Sequence, residues 1–234
     1  MDELGEQHSD PGEGATEPPL YAPRHLDEGL RVLAAEPVFA DIVATAGEPR
    51  FRRRRNGFAT LLHIILEQQV SIDAAAAMHR RLAGLCRPLA PELFLQLDDA
   101  TLRLCGFSRQ KIGYARRLAA AVADGEFDFA ALAAADDETA QAALLRLKGI
   151  GRWSAEIYLI FALGRCDVWP AADLGLQIGV GERLGLSARP AEAELRRLGD
   201  AWRPWRSVAA CLFWQSYLHA RGRSAPRLPP ELYA

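Results

Sequence analysis

An all-α fold is predicted by three features of the sequence. Apolar residues recur at intervals of three and four in successive stretches, Ser, Asp, Gly and Pro punctuate those stretches, and no segment alternates as a half-buried strand would. Leu30 and Leu33 predict a first helix stopped near Pro37. Val38, Ile42 and Val43 predict a second that ends near Gly47. From Phe58 the positions Leu61, Leu62, Ile65, Leu66 and Val70 keep helical spacing. Ser71 can cap the next helix, through Ala77 and Leu82. Asp98 can cap a short one holding Leu102 and closed by Gly106, and Ser108 one carrying Ile112, Ala115, Leu118 and Val122. Leu144 to Leu147 run into a Gly-Ile-Gly turn, and the nearly all-apolar helix expected over 152–163 belongs in a core. Further helices are expected over about 174–184, 191–198 and 204–219, the last with Pro204 in its first turn, where a missing N–H leaves no bond unmade. The total is about ten.

Length and composition narrow the function classes. The chain has 234 residues, half of them apolar and a quarter charged, which suffices for a substantial core and excludes disordered, collagen-like and disulfide-scaffold classes. No apolar run approaches the roughly 18 residues of a membrane span. The opening acids Asp2, Glu3 and Glu6 do not read as a secretory signal. Cys86, Cys105, Cys166 and Cys211 form no CxxC pair and are expected to be reduced, mostly buried thiols.

The net charge of −2 is unevenly distributed. The first thirty residues hold eight acids and one base, Arg24, so residues 31–234 carry a net +5. Residues 1–24, rich in Gly, Pro and acids, are expected to form a mobile acidic tail on a mildly basic body. Five of the six residues from Arg50 to Arg55 are arginine, a run that reads as a solvated face or as a phosphate clamp with salt-sensitive binding. Only two of the 28 basic residues, Lys111 and Lys148, are lysines.

The segment Leu147-Lys148-Gly149-Ile150-Gly151-Arg152-Trp153-Ser154-Ala155 is the first candidate for chemistry. Glycines at alternate positions of an inter-helix turn let backbone N–H groups approach an anion, and the following helix N-terminus adds partial positive charge. The plain alternative is an ordinary turn with a glycine cap. Three other segments accompany it: Ile64-Ile65-Leu66-Glu67-Gln68-Gln69-Val70-Ser71, Leu104-Cys105-Gly106-Phe107-Ser108 through Lys111, and Asp167-Val168-Trp169-Pro170-Ala171-Ala172-Asp173-Leu174 with the later Trp202-Arg203-Pro204-Trp205-Arg206-Ser207. In this order, over residues 57–219, they resemble the helix-hairpin-helix (HhH-GPD) DNA glycosylases, specifically the 3-methyladenine DNA glycosylase II branch.

The resemblance implies two helical subdomains flanking a DNA-binding cleft. Residues 25–56 and 169–234 would form one and residues 57–168 the other, without the N-terminal β-sheet subdomain of some relatives. It implies base excision repair by a monofunctional enzyme that flips an alkylated purine, of the 3-methyladenine or 7-methylguanine type, out of double-stranded DNA and hydrolyses its N-glycosidic bond. Asp173 matches the catalytic aspartate, whose carboxylate would stabilise positive charge on the sugar and activate water. Read from the sequence alone, Asp173 is an N-cap for the helix from Leu174. Trp153 and Trp214 match an aromatic pocket suited to a cationic base, although core packing is the simpler use of each. Ile157 and Leu174 stand where some relatives place tyrosines, which predicts a less aromatic pocket. Gln69 matches the residue that fills the gap left by the flipped nucleotide, with Gln68 more structural, and an ordinary helix-surface glutamine is the alternative.

Lys148, Gly149, Gly151 and Arg152 are the remaining DNA-contact candidates, with Lys148 either a phosphate neighbour or solvated. Relatives that also cleave the strand carry a lysine two residues after the second hairpin glycine. Trp153 occupies that position here, so no Schiff base is expected. Asp167 is expected to be structural. His63 and His79 lack partners at ligand spacing, so no side-chain metal site is expected. The cysteine spacing lacks an iron–sulfur pattern, and the resemblance allows at most a monovalent cation on hairpin carbonyls. The expected protein is a monomer without a membrane partner, cytoplasmic in a bacterium or located wherever its DNA is. The competing reading is a non-catalytic DNA-binding module or a glycosylase for another lesion.

Overall fold

Four helix starts follow from the side chains predicted to cap them. Ser71 Oγ accepts from the Ala74 N–H, Asp98 Oδ1 from Thr101, Ser108 Oγ from Lys111 and Asp173 Oδ1 from Leu176, at 2.7–3.2 Å. Each bond satisfies one N–H that a first turn leaves without a partner.

The computed structural model describes residues 21–234. Among them the helices are α1 (Leu26–Leu33), α2 (Pro37–Ala46), α3 (Phe58–Glu67), α4 (Ile72–Leu85), α5 (Pro91–Leu95), α6 (Asp99–Leu104), α7 (Arg109–Ala123), α8 (Phe129–Ala134), α9 (Asp137–Arg146), α10 (Arg152–Phe161), α11 (Leu174–Arg183), α12 (Glu192–Leu198) and α13 (Arg206–His219). Short 3₁₀ turns cover Gly199–Trp202 and Pro230–Leu232. No strand forms among the described residues, only two isolated bridges, Tyr21 with Arg52 and Arg54 with Tyr233.

Three helices buried along most of their length, α3, α10 and α13, organise the packing. α13 is buried from Ser207 to Trp214, with α2 and α11 against it and α1 beside it. α3 is buried along nearly its whole length and packs on α4, α7 and α10, while α10 also packs on α9. α10, expected to be nearly all apolar and to lie in a core, is buried from Ser154 to Phe161.

Several expectations are corrected. Residues 1–20 of the expected tail lie outside the described residues, and its last four are built into the fold: Ala22 is fully buried and its N–H donates to the Phe51 carbonyl at 2.8 Å. α3 ends at Glu67 rather than running to Val70, because Gln68 turns extended to bond the hairpin. Pro204 precedes the last helix instead of opening it. It lies in a turn closed by the Trp205 N–H on the Trp202 carbonyl (2.7 Å), and α13 starts at Arg206. The short α5 and α8 were not expected, although Pro91 and the Asp128 cap mark their starts. Cys86, Cys105 and Cys211 are buried free thiols and Cys166 is half-buried.

The arginine run is not an open basic strip. The Arg54 N–H donates to Phe161, that of Arg55 to Leu232, and the Arg53 carbonyl accepts from Ala234. The Arg54 guanidinium grips Glu67, Arg52 lies over the Tyr233 ring at 4.0 Å, and Arg55 Nε donates to the Tyr233 carbonyl at 2.6 Å. This run ties the chain near residue 21, the end of α10 and the segment ending at 234 to one another. Asp167 is structural as expected, gripped by Arg206 and Arg203.

Glu156, on the inner face of α10, is 2 % exposed and faces Arg196 of α12 at 3.4 Å, with Oε2 unpartnered. Burial lifts its carboxyl to about 7, against the pull of Arg196 and Arg152. A raised carboxyl pKa means the unfolded chain releases its proton first, so this group destabilises the fold progressively as pH rises from about 4.5 to 7. Glu156→Gln is therefore expected to match the wild type near pH 4 and to exceed it at pH 8 by on the order of 2–3 kcal/mol. Thermal unfolding of both proteins across that range checks the divergence.

Candidate active site

Asp173 caps α11 and is held by two further helices. Its Oδ1 accepts from the Leu176 N–H (2.8 Å) and from Trp214 Nε1 on α13 (2.8 Å), while Oδ2 accepts from Trp153 Nε1 on α10 (2.9 Å). A carboxylate offers about four acceptor positions, so three donors leave one, on Oδ2. The N-cap and catalytic readings of Asp173 are thus compatible, since the capping bond uses the other oxygen.

Two concavities meet at this carboxylate. One is a cavity of about 700 Å³ and the other an open groove of about 1000 Å³. Glu67, Val70, Ser71, Trp153, Asp173 and Leu174 border both. Trp214 lines the cavity, with one indole face stacked on Phe161 (centroids 5.8 Å, 29°). Ile157 and Leu174 line the cavity without aromatic rings, and Phe51, Phe161, Tyr217 and Tyr233 bring rings to it from other elements.

The groove is lined by the hairpin and the Gln-Gln segment. Gln68 Nε2 donates to the Gly149 carbonyl (2.8 Å) and to Ser154 Oγ (3.0 Å), fixing the end of α3 to the hairpin. The next residue, Gln69, is exposed and left-handed at φ 57°, a conformation uncommon for a non-glycine residue and concentrated at functional sites. Gln68 is thus the structural member of the pair and Gln69 the presented one. Lys148 is exposed on the groove beside Gly149 and Gly151. Arg152 borders neither concavity and instead acts electrostatically on Glu156. Lys111 is not a free amine: its Nζ donates to the Leu66 carbonyl (2.7 Å) at the end of α3, and burial lowers its pKa.

The two hairpin glycines do different work. Gly149 has φ 98°, and a Cβ there would stand 2.2 Å from the Tyr114 ring. Gly151 has extended backbone, and a Cβ on it would meet nothing within 4 Å. Gly151 caps α10 without a side chain, which leaves the first-turn N–H groups of the helix for water or an anion. Among the described residues no group of three or more His, Cys, Asp or Glu is placed to hold a metal ion. His63 and His79 pack edge to face at 5.0 Å, and burial followed by the neighbouring His63 lowers the His79 pKa to about 4.

Residues 62–204 match the model of the HhH-GPD superfamily base excision DNA repair proteins. The chain belongs to this superfamily. It is 28 % identical over 165 residues to the Bacillus subtilis protein named putative DNA-3-methyladenine glycosylase YfjP, covering 67 % of this chain and 57 % of that one. It is 33 % identical over 135 residues to the alkylbase DNA glycosidase-like protein mag2 of Schizosaccharomyces pombe, covering 57 % and 63 %. The chain thus spans about three-fifths of the length of these curated relatives. The structure of S. pombe 3-methyladenine DNA glycosylase (Mag1) in complex with abasic DNA superposes with a TM-score of 0.75 at 27 % identity, over 80 % of this chain and 95 % of that one.

Sequence reasoning missed Tyr114, Tyr217, Arg54, Glu67 and the lining residues Arg223 to Tyr233. Glu67 was the legible one, as a lone charge closing an apolar helix. The contrast between the glycines is testable. Gly149→Ala is expected to lower stability by about 1–3 kcal/mol through backbone strain and the Tyr114 clash. Gly151→Ala, which meets no neighbour and has a backbone that alanine adopts, is expected to cost less than about 1 kcal/mol, as a poorer N-cap. Thermal unfolding of both variants checks the contrast.

Proposed function

We propose that this chain is a monofunctional DNA glycosylase that hydrolyses the N-glycosidic bond of alkylated purines, of the 3-methyladenine or 7-methylguanine type, flipped out of double-stranded DNA. The observation that carries the reading is a carboxylate with one free acceptor position, held by two indole N–H groups at the mouth of an aromatic cavity that opens beside a glycine hairpin. The names of the relatives, a DNA-3-methyladenine glycosylase and an alkylbase DNA glycosidase-like protein, support the substrate class.

The damaged base enters the cavity because the bond to be broken is inaccessible in the stack. A purine alkylated at a ring nitrogen is cationic, and the aromatic lining attracts it more than a neutral base, by on the order of 1–2 kcal/mol. As the C1′–N bond breaks, its electron pair returns to the base, which leaves neutral and needs no strong acid. Positive charge develops on the sugar, where Asp173 stabilises it electrostatically. Water then bonds to C1′, and its proton passes to Asp173 or solvent. The hairpin N–H groups and Lys148 hold phosphate, and Gln69 enters the gap in the stack. No step uses a cofactor; a cation on hairpin carbonyls would serve DNA binding alone. The enzyme acts as a monomer on duplex DNA, wherever that DNA is.

Strand cleavage through an imine is not part of the reading, because Lys111 is committed to a carbonyl and Trp153 stands at the lyase position. Asp173→Asn keeps an oxygen for the cap, and is expected to reduce release of methylated purines from dimethylsulfate-treated DNA by roughly 10²-fold or more. Borohydride is expected to trap no covalent complex. Release unaffected by Asp173→Asn would leave a DNA-binding module with a structural aspartate.

A further inference from the structure

Two polar groups in the wall of the base cavity have no part in the steps above. Arg54 and Glu67 are 9 % and 7 % exposed, and both line the cavity. They pair side-on, Nη1 to Oε2 and Nη2 to Oε1, each at 3.0 Å. The guanidinium also lies over Phe161 (5.2 Å), whose ring stacks on Trp214, so the pair is continuous with the aromatic wall. On the far side His63 Nε2 stands 3.5 Å from Glu67 Oε1.

Fold stability alone does not account for this pair. A buried ion pair loses hydration on both partners, and apolar residues of similar volume commonly hold a fold as well or better. The backbone here is already tied without it, by Arg54 N–H to Phe161, Arg55 N–H to Leu232 and Ala234 N–H to Arg53. The pairing does fix the protonation state of Glu67. Although burial opposes it, the Arg54 charge and the His63 contact hold the carboxyl down to about 2, so it is an acceptor at any working pH. Arg54 occupies two of the roughly four acceptor positions, leaving capacity where the residue borders the cavity.

Resting on the glycosylase reading, we propose that Glu67, locked in orientation by Arg54, is a specificity-determining residue that accepts a hydrogen bond from an amino or imino N–H on the edge of the flipped cationic purine. A carboxylate is matched to such an edge by charge and by hydrogen bonding together, and it accepts nothing from a base whose edge carries only acceptors. The indole faces favour any cation; Glu67 adds a demand for an N–H donor.

The test uses the full chain with Arg54 and Glu67 both replaced by Met, which removes the pair without stranding either charge. Release of 3-methyladenine and 7-methylguanine from dimethylsulfate-treated duplex is measured beside affinity for a duplex holding a tetrahydrofuran abasic analogue, which places no base in the cavity. The expected result is release reduced at least about tenfold, as for one lost charge-assisted hydrogen bond, with abasic-duplex affinity within about twofold of wild type. Release within twofold of wild type, or equal losses in release and affinity, would overturn the proposal. Arg54→Leu with Glu67→Leu, which likewise strands neither charge, is judged on the same two readings if the Met pair does not fold. A wild type that releases no methylated purine sinks the glycosylase reading and this inference together, whereas an active wild type with an equally active variant sinks the inference alone.

Discussion

A carboxylate that accepts from three N–H donors on three different helices has one orientation available to it, and the rest of the site is arranged around that constraint. The donors reach Asp173 from its own helix α11, from Trp153 on α10 and from Trp214 on α13. α10 begins at the hairpin, and α13 is the helix on which α2 and α11 pack. The position of the carboxylate therefore reports the packing of the whole molecule, and the groove that would hold a phosphate backbone is registered against the cavity that would hold a base. Preorganisation of this kind matters most where charge appears only in the transition state, because a group already oriented needs no reorganisation at that moment. The two indoles are constrained by the same bonds: each presents its N–H edge to the acid.

What was legible in the sequence divides along a physical line. Caps such as Ser71, Asp98, Ser108 and Asp173 were readable because a cap is a local bond between a side chain and an N–H a few residues on. Long amphipathic or apolar helices were readable from their period. α5 and α8 were not, because five or six residues hold too few turns for a period to register. The order of four motifs pointed to Asp173, Trp153, Trp214 and the hairpin, and the structure brings all of these around two adjoining concavities. Arg152 stands apart from them, since a helix turns successive side chains by about 100° and its neighbour Trp153 takes the inward direction.

The cavity wall was hardest to read. Its aromatic rings come from Phe51, Phe161, Tyr217 and Tyr233, positions far apart in the chain whose meeting depends on how remote segments dock. The arginine run illustrates the same limit. A row of like charges has a statistical meaning, a solvated face or a polyanion site, but its physical meaning depends on partners that pattern does not reveal. Here the partners are Glu67, the Tyr233 ring and backbone carbonyls, and the run works as an internal brace.

The partners of those arginines change the electrostatic argument for the site. With Arg54 buried against Glu67, Arg52 and Arg55 exposed but held by Tyr233, and Lys111 holding the end of α3, the excess basic charge of residues 31–234 does not form a row of unpartnered side chains. The groove itself offers one lysine and a set of backbone N–H groups. Backbone donors attract phosphate only at short range and only in the right geometry, whereas a row of flexible side-chain charges attracts any polyanion at a distance. A hairpin built on Gly149 packed beneath Tyr114, and on Gly151 left open toward the groove, therefore favours close registration of the backbone over strong nonspecific adhesion. That balance suits an acid whose orientation is already fixed: under the proposed glycosylase reading, it would reach a sugar only if the phosphates beside that sugar were seated at the hairpin.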